Sequence, residues 1–140
     1  MKKADFRYEY PEKYIDKSYV NDSIKYMLII DEDIFDEETI EYANNIVNQY
    51  IIKKDEIINT MLDLGLRKFY KSLYDYSDEF IKENIGKPRI NILYKNDGTK
   101  EWKFKYAGVI TFLEHNLDEH IIEIEFFDNL ILDNNVIIDG

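Results

Sequence analysis

Cysteine is absent from this 140-residue sequence, and proline and glycine are scarce, with two and five copies. The lack of cysteine excludes a disulfide framework, a thiolate zinc site and a thiol nucleophile. The two prolines, Pro11 and Pro88, mark the ends of segments and leave no linker between domains. The expectation is a single domain over residues 1–140. No run approaches the roughly 18 apolar residues of a membrane span. No G-x-x-x-x-G-K-[ST] loop or G-x-G-x-x-G turn supports a nucleotide, and no G-x-S-x-G elbow supports a hydrolase. No cofactor is implied, and the expectation is a protein that is not an enzyme.

One absence is local. Residues 106–140 contain no Lys or Arg but eight acids, whereas residues 1–105 hold all 18 Lys and Arg against 21 acids. The formal net charge of −11 therefore sits mostly in the last quarter of the chain. Such acidity repels nucleic acid and anionic membrane and attracts basic proteins. It also serves as a plain solubilising surface, and the sequence leaves both readings open.

Hydrophobic residues reach 45%, with 12 Tyr and 8 Phe, which is enough for a core and unlike a disordered chain. No apolar stretch follows Lys2 and Lys3, so no signal peptide is read, and the expected location is cytoplasmic. The bias toward Ile, Lys, Asn, Asp and Glu resembles proteins of AT-rich bacterial genomes.

The pattern along the chain predicts strands, then helices, then strands. Phe6–Tyr10 alternates aromatic and charged residues and reads as a strand stopped by Pro11; residues 23–31 read as a second. Asp36 caps a first helix with Glu37 and Glu38 in its first turn, and Lys53 and Lys54 close it. A second helix starts near Asp55, with Gly65 on its apolar stripe, where close packing would explain a glycine. Ser77 opens a third helix, which Gly86 and Pro88 end. From Arg89 the period is two. Asn96-Asp97-Gly98 signals a type I′ hairpin returning as a strand over Glu101–Tyr106. Further strands follow over 109–114, 122–127 and 130–138, the last broken at Asp133-Asn134-Asn135. This order predicts an α+β fold: a mainly antiparallel sheet of five to seven strands with two or three helices on one face. Glu123 and Glu125 would then point to the opposite face.

The one constellation with chemical potential is Glu114-His115-Asn116-Leu117-Asp118-Glu119-His120. His115 and His120 with a carboxylate are candidates for a divalent cation or for proton transfer. The plainer reading is a polar turn whose histidines bond its own backbone. Glu123 and Glu125, about 7 Å apart on a strand, resemble a glycosidase pair or two phosphates, or are simply solvated. Arg67-Lys68-Phe69-Tyr70-Lys71 looks superficially like a nucleic-acid surface, but on a helix its aromatics turn inward.

Gly108-Val109-Ile110-Thr111-Phe112, Leu117-Asp118-Glu119-His120 and the strand over 121–126 follow a helix pair that starts near Ile34. This pattern resembles small uncharacterised bacterial domains with a D-E-H turn found beside polymorphic-toxin genes, some of them regarded as immunity proteins. Ile121 stands where that pattern has glycine, and Leu117 where it has an aromatic. The resemblance implies a role and no mechanism. With the small size, the lack of catalytic motifs and the one-sided acidity of residues 106–140, the expectation is a protein, monomer or homodimer, that blocks a basic toxin domain, such as a nuclease, by occlusion. The candidate contacts are Glu114, Asp118, Glu119, Glu123, Glu125 and Asp128, with Trp102 or Phe127 as anchors. A phage-type antagonist that mimics nucleic acid, and a small metal-binding or hydrolytic domain centred on His115 and His120, are the alternatives.

Overall fold

The computed structural model describes residues 2–10, 13–16, 26–98 and 101–140. Strands β1 (Phe6–Glu9), β2 (Lys13–Asp16) and β3 (Met27–Asp31) form an antiparallel meander. Helices α1 (Glu37–Met61), α2 (Arg67–Tyr74) and α3 (Asp78–Asn84) follow. Strands β4 (Arg89–Lys95), β5 (Tyr106–Phe112), β6 (Ile121–Phe127) and β7 (Ile131–Asp139) complete a seven-stranded sheet in sequential order. Among the described residues, β3 and β4 pair in parallel and the other pairs are antiparallel. The fold is α+β, as the order of patterns predicts.

The helices and one face of the sheet share the core. Ile90 and Ile92 of β4, Ile110 and Phe112 of β5, and Ile122, Ile124 and Phe126 of β6 are fully buried. They meet Ile40, Ala43, Ile46, Val47, Tyr50, Ile58 and Met61 of α1 in one cluster. Each fully buried aliphatic or aromatic side chain contributes about 1.5–3 kcal/mol relative to exposure. The start of α1 is as expected: the Asp36 side chain accepts from Thr39 N–H at 2.8 Å. The same carboxylate takes Lys95 Nζ at 2.8 Å, which ties the helix start to the end of β4. Ser77 likewise caps α3 through Phe80 N–H.

Several expectations change. The first strands number three, because the four-residue β2 carries too little pattern to be read alone. The expected strand over 23–31 is seen from Met27; residues 23–25 and Pro11 lie outside the described residues. Helix α1 does not end at Lys53-Lys54. Its stripe runs on from Tyr50 through Ile57, Ile58 and Met61, and the lysines lie within it. The break falls instead at Leu62–Leu66, a π-turn in which Arg67 N–H bonds Leu62 O. Gly65 there has φ 147°, and a Cβ at that position would meet nothing within 4 Å. The glycine is needed for its backbone angle, and not for close packing. Arg67 braces the kink by bonding Asp63 at 2.8 Å and Asp78 of α3 at 3.0 Å.

The Asn96-Asp97-Gly98 hairpin is also wider than expected. Residues 101–105 are loop, and the β4–β5 ladder resumes at Lys95 opposite Tyr106. In β7, Asp133–Asn135 form a bulge within a continuous strand: Phe126 faces Leu132, and Ile124 faces Val136.

Two glycine substitutions separate backbone strain from collision. A Cβ on Gly108 would lie 2.2 Å from Asn91 O and 2.4 Å from Phe126 Cζ. Gly65→Ala is expected to cost about 1–2 kcal/mol from its dihedral alone. Gly108→Ala is expected to cost about 3 kcal/mol or more, because a ladder carbonyl cannot yield. Urea titration of both variants checks the order.

Candidate binding face

The register places alternate residues of β4–β7 on the face away from the helices. Arg89, Thr111, Glu123 and Ile137 form one row across this face, and Asn91, Val109 and Glu125 form the next. Phe127 pairs with Ala107 on one side and Ile131 on the other. Near β2 and β3 the corresponding Ile15 and Ile29 are buried, so the open part of the face belongs to β4–β7. Apolar side chains there reach solvent: Leu93 is 50% exposed, Trp102 37% and Ile137 38%. Exposed apolar side chains gathered on one face make it a candidate interaction surface.

The 96–105 loop shapes one wall of this surface. Trp102 meets Tyr94 edge-on at 4.4 Å, and Phe104 stacks on Phe127 at 4.4 Å. The result is a groove of about 400 Å³ with Trp102, Leu93 and Phe127 at its sides and Glu123 and Glu125 on its floor. Asp128 anchors the loop from below. Its carboxylate accepts from Lys105 N–H at 2.8 Å and Tyr106 N–H at 3.0 Å. Its carbonyl accepts from the Tyr42 hydroxyl at 2.6 Å, and its own φ is 41°. Burial and the neighbouring Asp128 charge push the Tyr42 hydroxyl far above its ordinary pKa, which keeps it a donor.

The six candidate acids do not share one face. Glu123 and Glu125 lie on the groove floor, where Glu123 accepts from the Thr111 hydroxyl at 3.2 Å. Neither has an ion-pair partner among the described residues. Glu114 is exposed, 3.7 Å from Arg89, and Glu119 is exposed on the turn before β6. Asp118 turns the other way, toward the helices. It accepts from the Tyr70 hydroxyl at 2.8 Å, from His120 N–H at 3.0 Å and from the His120 ring at 2.8 Å. Burial alone would raise its pKa, but these hydrogen bonds outweigh that and hold the carboxyl below its ordinary value.

His115 is part of the same turn. Its Nδ1 accepts from Leu117 N–H at 3.1 Å, so its Nε2 carries the proton and donates to His120 O. Both ring nitrogens are thereby used within the turn. Among the described residues no three His, Asp or Glu side chains are grouped to hold a metal ion. The Asp118–Tyr70 bond joins residues 48 apart and has no signature in the local pattern.

No family model, no curated protein and no solved structure matches this chain.

What the fold provides is therefore a surface: an aromatic groove with two carboxylates that lack cation partners among the described residues, held by a loop that Asp128 fixes. The expected anchors Trp102 and Phe127 both line it. Leu93 and Ile137 line it too. The phase of alternation in β4 and β7 signals their face, but only once the strand partners are known.

The turn supplies a test of its electrostatics. Tyr70→Phe removes one donor to a largely buried carboxylate and is expected to cost about 1.5–3 kcal/mol at pH 7. In the folded protein these hydrogen bonds hold the Asp118 carboxyl below its ordinary value. Its contribution is therefore present above the unfolded value and is lost as pH falls through the folded one. The gap between wild type and Tyr70→Phe should close below about pH 4, as urea titrations across pH and a carboxyl carbon NMR titration of Asp118 would show.

Proposed function

We propose that the protein is a binding protein that captures a basic protein partner on the helix-free face of its sheet, acting as an immunity protein that neutralises a toxin domain by occlusion. The observation that carries this reading is the groove in which exposed Trp102, Leu93 and Ile137 surround Glu123 and Glu125. Desolvated aromatics at the centre of an interface supply most of its affinity, while unpaired charges steer encounter and select the partner's sign. The absence of Lys and Arg from residues 106–140 leaves β5–β7 with acids alone, although Arg89 stands in the same row as Glu123. Glu114 and Glu119 belong to its outer field. Asp118 and Asp128 act indirectly, by holding the turn and the loop.

The nucleic-acid mimic reading, in which the protein occupies a basic channel of a host defence enzyme, uses the same two carboxylates. The apolar side chains between and beside them favour a protein surface over a phosphate-like row. A metal-binding or hydrolytic role for His115 and His120 would require His115 to give up the bonds that shape its turn.

The partner, isolated by pull-down from the native strain, provides the test. Glu123→Lys with Glu125→Lys is expected to slow association about tenfold or more and to flatten its salt dependence. Trp102→Ala is expected to leave association nearly unchanged and to speed dissociation about 30-fold. Stopped-flow mixing measures both, and a titration of the partner's activity should reach zero at one equivalent. An association rate indifferent to the charge reversal contradicts the reading.

A further inference from the structure

The edge of the sheet offers a second, chemically different contact. Strand β7 is the outermost strand after β6, and no backbone hydrogen bond leads from Ile131–Asp139 to any described residue outside the β6–β7 ladder. Natural sheets usually cover or blunt such an edge. Here the bulge at Asp133–Asn135 blunts the middle and leaves Val136–Asp139 as regular strand.

Both sides of this stretch are shaped. Val136 and Ile138 lie opposite Ile124 and Ile122, on the helix side of the sheet. Beyond them a cleft of about 510 Å³ runs along the kinked helix, lined by Gly65, Lys68, Phe69, Ser72 and Leu73, with Leu73 55% exposed, so this side takes the apolar and not the basic residues of a partner. The space over Gly65 is part of this cleft, and among the described residues nothing comes within 4 Å of a Cβ placed there. On the other side, Ile137 lies opposite Glu123, and Asp139 lies opposite Ile121. A side chain on a strand added outside β7 would stand about 5 Å from Ile137 and Asp139, and about 10 Å from Glu123, within reach of a lysine or arginine.

We propose that the outer edge of Val136–Asp139 is a strand acceptor for an extended segment of a partner protein in which apolar and basic residues alternate. The added strand would complete the ladder with its main chain. Its apolar residues would enter the cleft beside Phe69 and Leu73, and its basic residues would face Asp139 and Glu123. Strand addition of this kind draws affinity from backbone bonds and specificity from alternate side chains. A second copy of this chain fits less well, since each copy would bring Asp133 and Asp139 of β7 to the junction and no cation from residues 106–140 to face them. The proposal rests on the reading of the protein as a binder of a basic partner.

The test uses the full chain and a capped octapeptide of alternating valine and lysine. Amide NMR and hydrogen exchange should show shifts and new protection over Val136–Asp139, with side-chain shifts at Leu73. Two N-methylated versions of the peptide, blocked on opposite backbone edges, should differ about tenfold or more in affinity, because only one edge meets β7. A block peptide of the same composition should bind more weakly. Equal binding of the two N-methylated peptides, shifts centred on Trp102, or no shifts at millimolar peptide overturn the proposal. So does protection of the same edge in peptide-free protein that sediments as a dimer, which assigns the edge to a second copy. Trp102→Ala should leave peptide binding intact. Loss of the strand acceptor therefore leaves the groove reading standing, and failure of the groove leaves this edge to be judged on its own shifts.

Discussion

The three helices all lie within the connection between β3 and β4, two neighbouring strands that run in parallel. A chain that leaves one strand and enters its parallel neighbour must travel back along the sheet over one face. Helices α1–α3 are therefore committed to one side. On the helix side, Ile90, Ile110, Ile124 and Phe126 are fully buried. On the far side of β4–β7 the alternate residues meet solvent, and the sequence places Leu93, Trp102, Phe127, Ile131 and Ile137 there beside Glu123 and Glu125. The groove is a consequence of topology joined to side-chain choice, and a domain without a partner would gain little from that choice.

The acids of the C-terminal segment divide by what they hold. Asp118 and Asp128 spend their charge on backbone amides and tyrosine hydroxyls, and each fixes an irregular segment. Asp128 matters most for the surface, because the loop that carries Trp102 and Phe104 hangs from its carboxylate. Glu123 and Glu125 have no such duty. A one-sided count of charge thus combines two classes of acid, and only strand register and hydrogen bonding separate them.

The fold was legible where the pattern is local and the physics is short-range. The caps at Asp36 and Ser77 are single-residue signals, and both hold. The alternation of Ile122, Ile124 and Phe126 with Glu123 and Glu125 assigned their faces correctly. Errors arose where tertiary packing overrides a local cue. Lys53-Lys54-Asp55 reads as a helix end, yet the buried stripe passes through it, and Ile52, at 81% exposure, shows that apolar character alone does not mark that stripe. Gly65 reads as a packed position inside an unbroken helix, but it sits at the kink between α1 and α2 for its positive φ; a packing contact and a positive φ leave the same residue in the sequence. Trp102 and Phe104 alternate like a strand but sit in a loop whose C-terminal end is held by Asp128, more than 20 residues away. The plainest reading of the 114–120 turn, histidines bonding their own backbone, holds for the His115 ring, whereas the His120 ring bonds the Asp118 carboxylate.

The chain's single tryptophan stands in the groove, so one spectroscopic probe reports on the central claim without a substitution. With 5-fluorotryptophan incorporated, the protein gives one fluorine resonance, from residue 102. Saturation with the native partner should shift that resonance and abolish its sensitivity to solvent isotope, as the groove is covered. A resonance unchanged at saturation would place the partner elsewhere and contradict the assignment of the helix-free face as the binding surface.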